Sequence, residues 1–148
     1  MKVYNIKEKL EYLNEVVDLE LKEWGTYTKE NLIKKISKVK DLLELDNFAK
    51  LILLNEDKLI GFISLFPKDG EERKDLTPWY ATMYVKKEYR GNGYSKILND
   101  SLLQYAKSKH YKKIYLKTDL INYYEKFGAH YIQDLNNGEK LYYIDLEK

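Results

Sequence analysis

A glycine-rich segment in the second half of the chain has the residue types of an anion-binding loop. Arg90 is followed by Gly91 and Gly93, and the residues from Tyr94 onward have helical spacing. Glycines let backbone N–H groups approach a phosphate, the first turn of a helix offers further unpaired N–H groups, and arginine adds a charged donor. Among 26 basic residues the arginines are Arg73 and Arg90, so Arg90 stands out inside this motif. The segment predicts a site for a phosphate-bearing ligand.

Two other phosphate-binding motifs do not fit this segment. A Walker-type loop needs Gly, four residues and then Gly-Lys-Ser/Thr, and a dinucleotide fingerprint needs glycine at the position of Lys96. The dinucleotide loop also follows the first strand of its domain, whereas this loop follows the fourth predicted strand. An ordinary β-turn is the alternative for an isolated glycine pair. The apolar strand before the loop and the helix after it favour a ligand site.

Hydrophobic periodicity predicts the elements that position this loop. Apolar residues three or four apart predict a helix over 6–24, and Thr28 is a typical N-cap for a second helix. Asn137-Gly138 predicts a tight hairpin turn near the end of the chain. The predicted order is β, α, α, β, β, β, α, β, α, β, β, with later strands at 48–54, 58–66, 79–85, 112–117, 129–134 and 140–146, a long helix to about 109 and a short one over 120–127.

Composition bounds the class of protein. A chain of 148 residues with 44% hydrophobic and 34% charged residues is typical of a globular protein, and we expect a single domain over 1–148. A net charge of +2 is too balanced to attract a polyanion, so no nucleic-acid partner is expected. Because no apolar run reaches about 18 residues and the N-terminus has no apolar signal core, we expect a cytoplasmic protein without a membrane partner.

The chain contains no cysteine. This excludes disulfides, a thiol nucleophile and thiolate metal ligands, and two histidines are too few for a structural zinc site. We therefore expect no metal. Any acyl transfer carried out by this chain must proceed without a cysteine-bound intermediate.

Two motifs resemble those of the GNAT family of N-acetyltransferases. Val85, four residues and then Arg90-Gly91-Asn92-Gly93-Tyr94-Ser95 is similar to the family's Arg/Gln-x-x-Gly-x-Gly/Ala motif. The segment Tyr124-Glu125-Lys126-Phe127-Gly128 resembles the family's Tyr-Glu-Lys-x-Gly segment after the fifth strand. Asp75-Leu76-Thr77-Pro78-Trp79 and Glu23-Trp24-Gly25 look like a bacterial subgroup whose acceptors are mostly unassigned.

The resemblance covers the order of elements over essentially the whole chain, and it implies the fold and the donor. The implied fold is α/β (α+β), a mixed, mostly antiparallel central sheet of six to seven strands flanked by about four helices. The implied donor is acetyl-CoA, with coenzyme A as product. Its pyrophosphate would lie on the glycine loop, and its pantetheine would pair like an extra strand. The implied cofactor-binding residues are Met83, Tyr84, Val85, Arg90, Gly91, Asn92, Gly93, Tyr94, Ser95 and Lys96.

The resemblance also implies a catalytic residue. Tyr124 matches the tyrosine that in many relatives protonates the departing thiolate, and the acetyl group would pass directly to the amine. A phenol with a pKa of about 10 can donate this proton because the thiolate is nearly as basic. Since the chain has 15 tyrosines, a packing role is the alternative, and Tyr123 is the adjacent candidate.

The acceptor site and the general base are predicted only as candidates. Trp24 and Trp79 are aromatic residues of the kind that wall a small-amine pocket, with Asp75 beside the second, although such aromatics are more often core. Because strand 79–85 contains no carboxylate, the candidates for the base are Glu23, Asp75, His130 or water.

Two functions remain open from the sequence. The first is an N-acetyltransferase acting on a primary amine of a small molecule or a peptide, as a monomer or homodimer. The second is a catalytically weak or inactive CoA-binding or sensing module. Both require residues 90–95, whereas the enzyme also requires Tyr124 and an open acceptor pocket.

Overall fold

Seven strands form one sheet in a computed structural model that describes residues 1–147. The spatial order is β1-β2-β3-β4-β5-β7-β6, and every neighbouring pair is antiparallel except β4 and β5, which are parallel. The strands are β1 (Lys2–Asn5), β2 (Ala49–Asn55), β3 (Lys58–Phe66), β4 (Trp79–Val85), β5 (Lys113–Thr118), β6 (Ala129–Asp134) and β7 (Lys140–Asp145). The helices are α1 (Leu13–Trp24), α2 (Lys29–Leu42) and α3 (Tyr94–Ser108). The mixed, mostly antiparallel sheet is confirmed.

The helices cover both faces of the central strands. Ile52 and Phe62 pack with α1 and α2, whereas Leu53 and Ile63 pack with α3 on the opposite face. Successive residues of a strand point to opposite faces, so β2 and β3 are apolar along nearly their whole length. Because β3 is packed on both faces and pairs with β4, it holds β4 in a fixed position in the sheet.

Local signals set several element ends as predicted. The Thr28 side chain accepts a hydrogen bond from the Asn31 N–H at 2.9 Å, which confirms it as the N-cap of α2. The β2–β3 and β6–β7 hairpins form, and Gly138 takes the left-handed φ of 92° in the second turn. Over residues 1–147, no helix is long and apolar enough to cross a membrane.

The prediction of one continuous helix over 6–24 is wrong at its start. Residues 6–8 and 10–12 form two 3₁₀ turns, and α1 begins only at Leu13. Lys9 lies between them with φ −140° and ψ 51°, which interrupts the helical path. Ile6 is buried, but Leu10 is 49% exposed, so the apolar spacing does not mark a single buried face.

The short helix predicted over 120–127 is also wrong in extent. Only Tyr124–Phe127 is helical, as one 3₁₀ turn, so the described chain has three α-helices and not about four. The Thr118 hydroxyl accepts from the Leu120 N–H at 3.0 Å, and Asn122 has φ 58°. A side-chain cap followed by a left-handed residue prevents the α-helix from starting earlier.

Candidate active site

A cleft opens where β4 and β5 separate. The two strands pair at one register position, Trp79 opposite Tyr115, where the Tyr115 N–H donates to the Pro78 carbonyl at 3.0 Å. Beyond it, along the described residues, the edge of β4 that faces β5 has no strand partner. The other edge of β4 pairs with β3, and the Lys86 N–H donates to the Ile60 carbonyl. Successive residues of a strand direct their backbone N–H and C=O groups to opposite edges. Because the Lys86 N–H points to β3, the N–H and C=O of Val85 point into the cleft, where an extended ligand can pair with them.

The glycine loop lies at the open end of this cleft. Gly91 and Gly93 have φ 82° and 80°, and a Cβ placed on either would meet no atom within 4 Å. Both positions therefore need glycine for their left-handed backbone and not for packing space. Gly93 is the N-cap residue of α3 and brings no side chain to its first turn. The N–H groups of that turn are the kind that bind phosphate.

Side-chain contacts hold the loop against the end of β4. The Arg90 Nε donates to the Val85 carbonyl at 2.8 Å, and its guanidinium carbon lies 5.5 Å from the centre of the Tyr84 ring. The Asn92 side chain donates to the Tyr89 carbonyl at 2.9 Å. Arg90 is exposed, so its charge is available to a ligand at the cleft mouth.

A cavity of about 290 Å³ joins the loop, the end of β4 and the end of α1. It brings together most of the residues predicted to bind the donor, with Trp24 as well. Asn92 and Lys96 do not line it, and Lys96 instead forms an ion pair with Asp100 at 2.7 Å. The lining residues are Glu23, Trp24, Met83, Tyr84, Val85, Tyr89, Arg90, Gly91, Gly93, Tyr94 and Ser95.

Tyr124 lies at the closed end of the cleft. Its ring is 5.7 Å from the ring of Tyr80, the β4 residue that follows the single pair with β5, and 4.8 Å from the ring of Tyr123. Tyr124 is partly buried, and burial raises the pKa of its hydroxyl, with Tyr123 raising it further. The phenol therefore keeps its proton at neutral pH and can act as a proton donor.

A β-bulge in β4 lies between the two ends, and it was not predicted from the sequence. Ser64 faces Ala81 and Phe62 faces Tyr84, so Thr82 and Met83 together oppose a single residue of β3. Thr82 has φ 42°, a left-handed conformation that a β-branched residue rarely adopts.

A buried polar chain runs from the bulge to α1. The Thr82 hydroxyl donates to the Ser64 hydroxyl oxygen at 2.6 Å, and the Lys50 ammonium donates to the same oxygen at 2.8 Å. Lys50 also donates to the Glu20 carboxylate at 2.9 Å. These hydrogen-bonded side chains were not predicted from the sequence. The available signal was a lysine inside the apolar run of β2.

Several predicted site residues have side chains that lie outside this cleft. Trp79 is 1% exposed, and its indole N–H donates to the Leu76 carbonyl at 2.8 Å. Arg73 lies 2.9 Å from the Asp75 carboxylate and holds the pKa of that carboxyl below its ordinary value. His130 is exposed on β6, with its ring 5.1 Å from that of Tyr143. Within residues 1–147, no group of three or more His, Cys, Asp or Glu residues is placed to hold a metal ion.

An open strand edge with a glycine loop at its mouth and a tyrosine at its base fits a transferase that uses a long, phosphate-bearing donor. Residues 12–129 match the family model described as the acetyltransferase (GNAT) family. The chain belongs to this family. It is an acyltransferase that moves the acetyl group of acetyl-CoA to an amine.

The chain is also similar to individual acetyltransferases in sequence and in structure. The chain is 30% identical over 112 residues to a probable spermine N(1)-acetyltransferase of Bacillus subtilis subsp. natto, covering 70% of this chain and 74% of the relative. An aminoglycoside 6'-N-acetyltransferase complexed with coenzyme A is 16% identical, with a TM-score of 0.75 over 99% of this chain and 97% of the other. The aminoglycoside 6'-N-acetyltransferase from Enterococcus faecium is 17% identical, with a TM-score of 0.72 over the same shares. These structural matches show the same fold.

Proposed function

We propose that this enzyme acetylates a primary amine of a small molecule that carries several amino groups, by direct transfer at the closed end of the β4–β5 cleft. The observation that carries the proposal is the position of Tyr124 against Tyr80, where β4 leaves β5. The glycine loop at the other end of the same strand edge supplies the anchor for the donor.

The residues present fit acetyl-CoA. The left-handed glycines and the first turn of α3 offer N–H groups to the pyrophosphate, with Arg90 as a charged donor. The edge of β4 that has no strand partner offers the Val85 N–H to the pantetheine, as an added strand would pair, while the Val85 carbonyl already accepts from the Arg90 Nε. The thioester then lies toward Tyr80 and Tyr124.

The chemistry requires one attack and one departure. The amine nitrogen forms a bond to the thioester carbonyl carbon, and the carbonyl electrons move to oxygen in a tetrahedral intermediate. When the carbonyl reforms, the C–S bond breaks, and the thiolate takes a proton from the Tyr124 hydroxyl. Tyr124 regains this proton from solvent, and the product amide loses the extra proton of the attacking amine.

The proton of the amine goes to water in this proposal. Glu23 lines the cavity at the open end of the cleft, Asp75 pairs with Arg73, and His130 lies on β6. In the described structure, Tyr124 has ring contacts with Tyr80, Tyr123 and Phe127 and no hydrogen bond to any of the three candidates. We therefore expect Glu23→Gln to leave the pH profile of kcat unchanged, whereas replacement of a general base would change that profile.

The acceptor class is supported by shared chemistry among the relatives. Spermine and aminoglycosides both carry several amino groups, and the proteins named for them share the family or the fold with this chain. Release of free thiol from acetyl-CoA, measured against polyamines, aminoglycosides, amino acids and lysine peptides, tests the class. A higher kcat/KM for polyamines and aminoglycosides than for the other amines is expected, and preference for a peptide would contradict it.

Donor binding is tested separately by thermal unfolding. A ligand at 100 times its Kd stabilises the folded state by about 2.7 kcal/mol, so acetyl-CoA should raise Tm. Pantetheine is the matched control, because it keeps the strand-like arm but lacks the pyrophosphate. An equal shift with both ligands would show that the glycine loop does not bind phosphate.

A further inference from the structure

The buried ion pair between Lys50 and Glu20 takes no part in the acetyl-transfer steps proposed above. Lys50 in β2 and Glu20 in α1 are each 1% exposed, with 2.9 Å between the Lys50 Nζ and the Glu20 Oε2. The exposed surface already has many lysines and carboxylates, so solubility does not require a pair inside the protein. Because desolvation is costly, apolar residues of the same volume often stabilise a protein at least as much as a buried ion pair does. Its presence therefore calls for another role.

The pair is connected to the cleft by hydrogen bonds. The Ser64 hydroxyl oxygen, fully buried in β3, accepts from the Lys50 ammonium at 2.8 Å and from the Thr82 hydroxyl at 2.6 Å. The path thus crosses three neighbouring strands, β2, β3 and β4. It ends on the residue of β4 with the left-handed backbone.

The bulge decides which backbone groups of β4 face the cleft. Thr82 lies between Tyr80, which contacts Tyr124, and Met83, which lines the donor cavity. A threonine at φ 42° is strained, and the short hydrogen bond to Ser64 offsets that strain by holding the side chain in one place. If Thr82 relaxed to an extended φ, the backbone groups beside the acetyl group would turn.

We propose that Lys50, held by Glu20, is a positioning residue that fixes the β4 bulge at the acetyl group through Ser64 and Thr82. The proposal rests on the function proposed above, because it assigns the acetyl group to the stretch of β4 between Tyr80 and Met83. Lys50 and Ser64 touch no reacting atom. They act through the backbone of Thr82.

Ser64→Ala is the variant that tests the connection. It removes the one atom that joins Lys50 to Thr82 and leaves the Lys50–Glu20 pair in place. We expect kcat to fall about tenfold or more, as displacement of a reacting group does, while the Kd for coenzyme A stays within about twofold. The pyrophosphate anchor on the glycine loop is untouched.

Ile52→Val is the matched control for loss of core packing. Ile52 is fully buried on the same face of β2 as Lys50, but its apolar side chain takes no part in the hydrogen bonds that join Glu20 to Thr82. It should lower Tm without lowering kcat at a temperature where the protein is folded. If Ile52→Val and Ser64→Ala lower kcat equally, the role of Ser64 is only structural and the proposal is overturned.

A second background isolates the strain at Thr82. Glycine adopts a left-handed φ without help, so in the Thr82→Gly protein the further change Ser64→Ala should alter kcat by less than about twofold. An undiminished fall in kcat in this background would overturn the proposal.

The backbone of Thr82 gives a readout that needs no acceptor. The ¹³Cα and ¹³Cβ chemical shifts of Thr82 should move from left-handed toward extended values in Ser64→Ala and stay in place in Ile52→Val. Unchanged shifts in Ser64→Ala overturn the positioning role even if the wild type has no turnover. Absence of wild-type turnover with every amine would instead contradict the proposed function.

Discussion

The two ends of the cleft are built in different ways. At the open end, six consecutive residues from Arg90 to Ser95 form the proposed anion site, mostly through their own backbone, and most of them are solvent-exposed. At the closed end, Tyr80 comes from β4 and Tyr124 from a separate 3₁₀ turn, while the bulge at Thr82 depends on β3. In the proposed function, donor binding thus depends on a contiguous segment, whereas the reacting centre depends on how distant segments pack.

This difference predicts how variants will separate. Changes at the open end should alter Kd for coenzyme A and leave kcat at saturation nearly intact. Changes at the closed end should alter kcat or folding and leave Kd nearly intact. Because buried charges are screened less than exposed ones, effects should also be larger at the closed end.

The largest effect is expected for Lys50→Met. Removing the ammonium leaves the buried Glu20 carboxylate with only the partly exposed Lys35 ammonium at 3.7 Å, and breaking a buried pair typically costs about 3–5 kcal/mol of unfolding free energy. Chemical denaturation measures the loss. Glu20→Gln combined with Lys50→Met should recover most of it, since no charge is then buried. A double variant as unstable as the single one would mean that packing of the lysine chain, and not charge, is what counts.

Tyr124→Phe should slow turnover by about 100-fold, the low end for a positioned acid, because a thiolate is a tolerable leaving group. The ring contacts with Tyr80 and Tyr123 stay, so the fold and the Kd for coenzyme A should be unchanged. Steady-state kinetics and calorimetry measure the two quantities. Tyr123→Phe is the matched control; if it slows turnover and Tyr124→Phe does not, the acid is the neighbouring tyrosine.

Gly93→Val should weaken coenzyme A binding by about tenfold. Valine disfavours φ 80°, so the loop would leave the conformation that directs its N–H groups to phosphate. Gly138→Val is the matched control, because Gly138 has φ 92° in the β6–β7 turn, away from the cleft. Both variants should lose some stability, but only the first should lose affinity in calorimetric titration. Equal losses of affinity would assign the effect to general backbone strain.

Arg90→Gln should have the smallest effect, a loss of about three- to tenfold in coenzyme A affinity at low ionic strength. The guanidinium is exposed, so salt screens its attraction to phosphate, and the difference from wild type should shrink in 0.5 to 1 M salt, roughly a Debye length of 3–4 Å. Arg73→Gln provides the comparison, because Arg73 pairs with Asp75 outside the cavity. A loss that is independent of salt would point to the hydrogen bond with Val85 as the important contact.

Sequence reasoning was most successful where a signal depends on near neighbours in the chain. The N-cap at Thr28, the hairpin turn at Gly138 and the helix after Gly93 all follow from local φ preferences and hydrogen bonds. The same reasoning was wrong for residues 6–12 and 120–123. In both segments a left-handed or irregular residue and a local hydrogen bond interrupt apolar spacing that fits a helix.

By itself the sequence determined the family and predicted the anion loop and the role of Tyr124, because these are carried by short motifs of fixed spacing. Only the tertiary structure decided that β4 leaves β5 after one pair, that Tyr124 meets Tyr80, and that Trp79 is buried. It alone joined Glu20, Lys50, Ser64 and Thr82. These contacts link residues 14 to 44 positions apart, so they depend on strand order and register, which are set by the packing of the whole sheet and not by the preferences of any one segment.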